Sequence, residues 1–322
     1  MRKTTLSRLT DLIEEARSIA IIGHIRPDGD DVGSCLGMYN YILANFTQVK
    51  KLRVFLETPP KKFFFLSGVN DIYHKLDESD KDYDLVIALD CAAKERLGDF
   101  GTLVDSAKHS ICVDHHKTNI GYCEFNEVRG EASSTSEVIC ELLDEKRINS
   151  KAAACFYTGI VHDTGVFQYS STTQRTMEIA GNLLTKGVSA EQVITESFFR
   201  KSYNQLRAWG YAFDNSVLCE KGKAIYAIFT WKDMKKFGIS SVELDGISSE
   251  LRNVEGVLFS MLIYQDGEND YKVSMRSTGS VDCSLVAQKH HGGGHVHASG
   301  CNVSGDPEEA AQLLLSEIRE QL

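Results

Sequence analysis

The chain has 322 residues, enough for about two domains, and its 35 basic against 45 acidic residues leave a formal net charge of −10. With 42% apolar and 25% charged residues it has the balance of a soluble globular protein. That excludes a disordered chain, a collagen-like fibre and a strongly cationic histone-like binder. An acidic chain is also poorly suited to holding long nucleic acid by counterion release, which leaves short or small phosphorylated ligands open.

The longest uncharged apolar runs, such as Leu85–Leu89, fall far short of the ~20 residues a membrane helix needs. Arg2, Lys3, Arg8, Asp11, Glu14 and Glu15 stand where a signal peptide would need an apolar stretch. The nine cysteines are an odd number, form no C-x-x-C pair, and in five cases (Cys35, Cys91, Cys112, Cys140, Cys155) sit inside apolar segments. This pattern predicts reduced thiols and a cytoplasmic protein.

The first half alternates two kinds of segment. Ser18–Gly23, Lys51–Glu57, Tyr83–Asp90 and Ser110–Asp114 are short, apolar and rich in β-branched residues, and read as buried strands. Helical patterns cover Val32–Phe46, Ser136–Lys146, Ala152–His162 and Gln174–Thr185, and Ser134 with Glu137 predicts a capping box. Such alternation indicates an α/β fold with a doubly wound, mainly parallel sheet, whose ligand crevice lies beyond the strand C-termini. The pattern changes near 186–202. A helix around Tyr203–Leu218 is followed by strands at Lys223–Thr230, Gly256–Gln265 and Tyr271–Arg276. A helix (Val281–Lys289), a glycine cluster, a strand near Ser299–Val303 and a last helix from Pro307 complete the chain. The expected organisation is a catalytic domain at 1–186, a linker at 187–202 and a smaller α/β domain at 203–322.

Three of the four predicted strands run directly into acid or histidine: His24 to Asp31, Asp90, and Asp114-His115-His116. A helix further on delivers His162-Asp163. At the rim of a parallel sheet these groups converge, and so many carboxylates would repel one another unless protons or divalent cations compensated them. Aspartates with a few imidazoles and no thiolate suit Mn²⁺, Mg²⁺, Fe²⁺ or Co²⁺ better than structural zinc. Two such ions about 3.5–4 Å apart can clamp an in-line displacement at phosphorus. Asp90, alone at its strand end, is the natural carboxylate for them to share. Taken singly, each of these residues reads equally as a helix cap, a turn former or an ordinary histidine; the repetition at strand end after strand end carries the functional reading.

A second cluster runs from His290 to Gly300. Gly292, Gly293 and Gly294 would leave backbone N–H groups open to an anion, and the neighbouring imidazoles and Lys289 can donate to phosphate. Arg276, at the end of a predicted strand, offers a bidentate fork. A glycine-rich hairpin with solvated histidines would read alike, and four histidines within eight residues could also be a metal tract.

Together, His24-x-x-Pro27-Asp28-x-Asp30-x-x-Gly33-Ser34, Asp90, Asp114-His115-His116 and Asp163-Thr164-Gly165 resemble the four signature motifs of the DHH phosphoesterase superfamily. Arg276 followed by Gly292-Gly293-Gly294-His295-x-x-Ala298-Ser299-Gly300 resembles the DHH-associated C-terminal domain. The two-domain layout is similar to the nano-RNase and 3′-phosphoadenosine-5′-phosphate phosphatase branch. The resemblance implies a first metal on His24, Asp28 and Asp90, and a second on Asp30, Asp90, His115 and Asp163, with Asp90 bridging. It further implies that His116 faces the substrate phosphate, that Asp114 supports the histidines, and that Arg276, His295 and the glycines grip a phosphate or terminal nucleotide. Two Mn²⁺ ions are the implied cofactor, with Mg²⁺ or Co²⁺ as substitutes. The loop departs from the family pattern at Ser299, where many relatives have Ala, and in the additional His290, His291 and His297.

The expected activity is hydrolysis of short RNA or DNA oligonucleotides or dinucleotides to nucleoside monophosphates, together with dephosphorylation of phosphorylated adenosine nucleotides. No long duplex and no membrane is expected as a partner; a homodimer is compatible with this reading. The alternatives are a manganese-dependent inorganic pyrophosphatase, or an inactive nucleotide-binding regulator. The arginine and glycine loop favours the nucleotide reading over the first. A competent residue at every ligand position disfavours the second.

Overall fold

The structure is a computed structural model that describes residues 5–322, with side chains from Arg8 onward. Arg2 and Lys3, which bear on the signal-peptide reading, lie outside the described residues. The chain divides into two compact units, Met1–Arg200 and Lys201–Leu322.

The first unit is built on six parallel strands: β1 (Ser18–Ile22), β2 (Lys51–Phe55), β3 (Ile72–Tyr73), β4 (Leu85–Leu89), β5 (His109–Asp114) and β6 (Phe125–Val128). Their helices are α1 (Thr5–Glu15), α2 (Gly29–Asn45), α3 (Thr102–Ser106), α4 (Thr135–Leu142), α5 (Ser150–Asp163), α6 (Gln174–Leu184) and α7 (Ala190–Ile194). The predicted α/β parallel fold is therefore present. Successive strand residues feed opposite faces: Ile19 and Ile21 join the core under α2 and α5, whereas Ala20 and Ile22 pack with Phe55, Tyr83 and Leu97. Burial on both faces is why β1 and β4 read as unbroken apolar runs.

Strand order is β3-β2-β1-β4-β5-β6. The chain winds outward from β1 in one direction, returns, and winds outward from β4 in the other. The β1/β4 boundary is thus the switch point of the sheet, where an open α/β sheet parts its loops to leave a crevice. His24 follows β1 and Asp90 follows β4, so the topology alone places these two side by side.

Helix α2 crosses α5 closely enough that both must carry glycine at the crossing. A Cβ on Gly33 would lie 2.6 Å from the Cys155 carbonyl oxygen and 2.7 Å from Gly159 N. A Cβ on Gly159 would lie 2.4 Å from Asp30 Oδ1. This crossing carries the end of α5, and with it Asp163, to the start of α2. The segment expected as a linker holds α7 and a single π turn, Thr195–Phe199, with Val193 and Ser197 buried.

The second unit contains α8 (Tyr203–Asp214), β7 (Val217–Cys219), β8 (Ala224–Phe229), α9 (Trp231–Phe237), α10 (Ile247–Arg252), β9 (Phe259–Gln265), β10 (Asp270–Ser277), α11 (Ser284–Lys289), β11 (Gly293–His295), β12 (Ala298–Ser304) and α12 (Pro307–Ile318). Its sheet runs β11-β12-β10-β9-β8-β7 and is mixed: β8 and β9 are parallel, the other pairs antiparallel. Separate cores lie on its two faces, one with α11 and α12, the other with α8, α9 and α10.

Candidate metal centre

Asp28 caps α2: its Oδ1 accepts the N–H groups of Asp30 and Asp31 at 3.0 and 3.1 Å. Its other oxygen, Oδ2, is 3.8 Å from His24 Nε2. One side chain thus caps the helix with one oxygen and turns the other toward the candidate metal position. His24 is buried, and its Nδ1 is 2.8 Å from the Ile25 carbonyl oxygen, which directs Nε2 toward Asp28 and Asp90.

Asp90 is 2% exposed and adopts a left-handed backbone (φ 52°), a conformation Asp tolerates better than most residues. Its two oxygens face opposite ways: Oδ2 is 3.9 Å from His24 Nε2, and Oδ1 is 3.6 Å from His115 Nε2. His115 Nε2 is in turn 3.0 Å from Asp163 Oδ2. Three groups of donor atoms converge within 4.8 Å: His24, Asp28 and Asp90; Asp30, His115 and Asp163; and Asp90, His115 and His116. All six residues expected as ligands are therefore brought together. His162 instead packs against the rings of Phe63 and Phe198, with centroids 4.9 and 5.6 Å away.

Apart from Asp114, the supporting residues were not read from the sequence. Asp30, fully buried, accepts the Thr135 N–H on Oδ2 (2.6 Å) and the Ser136 N–H on Oδ1 (3.0 Å). The positive end of α4 is thus spent on a carboxylate. Thr135 Oγ1 donates to Asp90 Oδ1 at 2.9 Å. Only half of the expected capping box forms: Ser134 accepts the Glu137 N–H, but the Glu137 carboxylate accepts from Ser133 and Thr176 rather than reaching back.

Asp114, also fully buried, accepts His116 Nδ1–H on Oδ1 at 2.7 Å and Asn119 Nδ2–H on Oδ2 at 2.7 Å. Asn119 also donates to the Cys91 carbonyl (3.1 Å) and accepts the Gly121 N–H. The Asn119–Asp114–His116 chain fixes the ring that the third donor group presents. Outer hydrogen bonds of this type are worth about 10–100-fold in metal affinity or activity. Asn119→Leu is expected to lower kcat by about that factor, as measured by steady-state hydrolysis; wild-type kcat would remove the positioning role.

The electrostatics fit a cation. Burial, with the charges of Asp28 and Asp163, pushes the Asp90 carboxyl up to about 6. Burial, then Asp90 and Asp163, pushes Asp30 well above the carboxylate range. His24 and His115 move the opposite way from what burial dictates: Asp31, Asp28 and Asp90 raise the first to about 10, and Asp163, Asp90 and Asp30 raise the second to about 11. Without cations the cluster holds protons to balance its acids, and two divalent ions would supply the same compensation with ligand types suited to them. Asp31 lies beneath this cluster, fully buried; its Oδ1 accepts the His24 N–H, while Oδ2 has no hydrogen-bond partner among the described residues.

In the second unit, register sets His295 of β11 and Arg276 of β10 opposite the same residue, Ala298 of β12. Directly opposed residues share a face, so the two expected substrate-binding side chains flank one position in one row of the sheet. The next row but one is Gly293, Gly300 and Ser274, small residues that leave the surface open beside them. Not all three glycine amides are open, however. Gly292 N–H already donates to the Ala287 carbonyl, and Gly293 and Gly294 pair with β12 in a hairpin. A Cβ on Gly292 would sit 2.1 Å from the Gly300 carbonyl oxygen, so close approach of strands explains this glycine.

Two family models cover most of the chain: the DHH family N-terminal domain matches residues 18–160 and the DHHA1 domain residues 221–322. A bifunctional oligoribonuclease and PAP phosphatase NrnA from Bacillus subtilis is 32% identical over 94% of this chain and 93% of its own length. The chain belongs to the DHH family. The NrnA of Thermus thermophilus is 29% identical over 94% of this chain and 90% of that protein. Among solved structures, an exopolyphosphatase-related protein from Bacteroides fragilis superposes with a TM-score of 0.90 at 28% identity, covering 100% of this chain and 98% of that one. The DHH match ends at residue 160, so it covers the candidate ligands after β1, β4 and β5 and stops three residues short of Asp163.

Proposed function

We propose that this DHH-family chain is a phosphoesterase that hydrolyses short oligonucleotides and dinucleotides to nucleoside monophosphates and dephosphorylates 3′-phosphoadenosine 5′-phosphate. The supporting observation is the placement of Asp90, with one oxygen toward His24 and the other toward His115, at the switch point of the sheet. On this reading His24, Asp28 and Asp90 would hold one Mn²⁺ ion, and Asp30, Asp90, His115 and Asp163 a second. When bound, the ions supply a deprotonated water near neutral pH and stabilise charge on the phosphoryl oxygens.

The protein's own groups do the remaining work. His116, held through Nδ1 by Asp114, presents Nε2 to a phosphate oxygen, and the Asp114 carboxylate favours the protonated ring that can donate there. Arg276 and His295 hold the far phosphate or terminal nucleotide. The relatives' names include both oligoribonuclease and PAP phosphatase, which supports the two substrate classes. Its nine unpaired cysteines suit a reducing cytoplasm.

The deciding experiment is Mn²⁺-supported turnover of pApA, a five-nucleotide RNA, phosphoadenosine phosphate and pyrophosphate. Turnover of the dinucleotide and of phosphoadenosine phosphate is expected. Preferred hydrolysis of pyrophosphate, or none of the four, would overturn the reading.

A further inference from the structure

Arg96 lies in the 3₁₀ segment Lys94–Gly101 that follows β4 and Asp90. Its neighbour Leu97 is fully buried, which anchors the segment. Its carbonyl accepts the Ile25 N–H at 2.7 Å, so the backbone is tied to the loop that carries His24. The side chain is exposed, and its Nη2 lies 3.3 Å from His24 Nδ1.

This contact is not a hydrogen bond. His24 Nε2 turns toward Asp28 and Asp90, and Nδ1 therefore carries the ring proton and donates it to the Ile25 carbonyl. A guanidinium offers only donors, so its N–H groups remain unspent against the imidazole edge. Beside a centre this rich in aspartate, Arg96 forms no ion pair with any carboxylate among the described residues. Its exposed N–H groups are therefore open to water or to an anion from outside the chain. One imidazole separates the guanidinium from the point where His24 Nε2, Asp28 Oδ2 and Asp90 Oδ2 converge. A phosphate that reaches this point has an oxygen within reach of the arginine fork, whose planar geometry matches two phosphate oxygens.

We propose that Arg96 binds the substrate phosphate at the His24–Asp28–Asp90 side of the centre, a role that rests on the phosphoesterase reading above. Being exposed, Arg96 can be replaced without disturbing a core. The test titrates wild type, Arg96→Ala and Arg96→Lys with Mn²⁺ alone, and then with AMP at saturating Mn²⁺. Charge-assisted hydrogen bonds of this type are worth about a tenfold to hundredfold change in affinity. Arg96→Ala is expected to bind AMP more weakly by that factor with Mn²⁺ affinity unchanged, and Arg96→Lys to recover part of the loss. Unchanged AMP binding by Arg96→Ala, in a wild-type background that binds both ligands, overturns the assignment alone. So does a fall in Mn²⁺ affinity matching that for AMP, which would make Arg96 a support for His24. A wild-type chain that binds neither Mn²⁺ nor AMP overturns the underlying phosphoesterase reading.

Discussion

Replacing Asp90 with Asn is expected to lower kcat on pApA by about a thousandfold and to leave the chain with fewer than two tightly bound Mn²⁺ ions. Asparagine keeps the volume, still accepts from Thr135 Oγ1, and tolerates the left-handed backbone at this position. The fold should therefore survive, and what is lost is one negative charge between two donor groups. Metal-assisted stabilisation of a developing phosphoryl charge is worth several kcal/mol, and each 1.36 kcal/mol is a decade in rate. Paired measurements of turnover and of metal stoichiometry by calorimetric titration check this. Two ions bound at wild-type affinity together with full activity would remove the shared-carboxylate assignment.

Gly33→Val should be the most damaging change that touches no ligand. Its Cβ would meet the Cys155 carbonyl oxygen and Gly159 N, both backbone atoms of α5 that no rotamer change can move aside. Overpacking typically costs about 1–3 kcal/mol and occasionally more. At the upper end this amounts to about 6–12 °C in Tm for a unit of roughly 200 residues. The functional effect should exceed the loss of stability. Asp30 lies one turn before Gly33, and Asp163 ends the helix that would be displaced, so parting α2 from α5 separates Asp30 from Asp163. Calorimetry with and without Mn²⁺ should show a lower Tm and a smaller metal-induced increase. A Tm within a degree of wild type, with undiminished Mn²⁺ binding, would contradict the close-crossing account.

How much of this was legible in the sequence depended on where each residue lay. The runs at β1, β4 and β5 were readable because central parallel strands are largely apolar on both faces, and β2 through its buried Val-Phe end. The edge strands escaped: β3 is two residues long, and β6, Phe125–Val128, places Asn and Glu side by side between Phe and Val, which breaks the period of two. The glycine cluster was read as open backbone; that two of its glycines also form an edge hairpin is invisible until β12 is in place. The candidate ligands were conspicuous because they terminate strands. Their supports were not, because a backbone N–H has no sequence signature: Thr135 and Ser136 reach Asp30 across more than a hundred residues of chain. Asn119 left a faint trace, three residues after His116. Arg96 left none, since one arginine in a polar loop looks like any other.

The cap on α2 has a further consequence for how the crevice meets a nucleotide. In many α/β proteins the helix N-terminus at the switch point holds phosphate directly through its amides. Here the amides of Asp30 and Asp31 are taken by Asp28, and those of Thr135 and Ser136 by Asp30. Both helix ends are already titrated by the protein's own carboxylates. These amides are therefore spent before any phosphate arrives. If the centre takes cations as proposed, nucleotide binding is expected to follow metal loading, and AMP affinity to fall when Mn²⁺ is withheld.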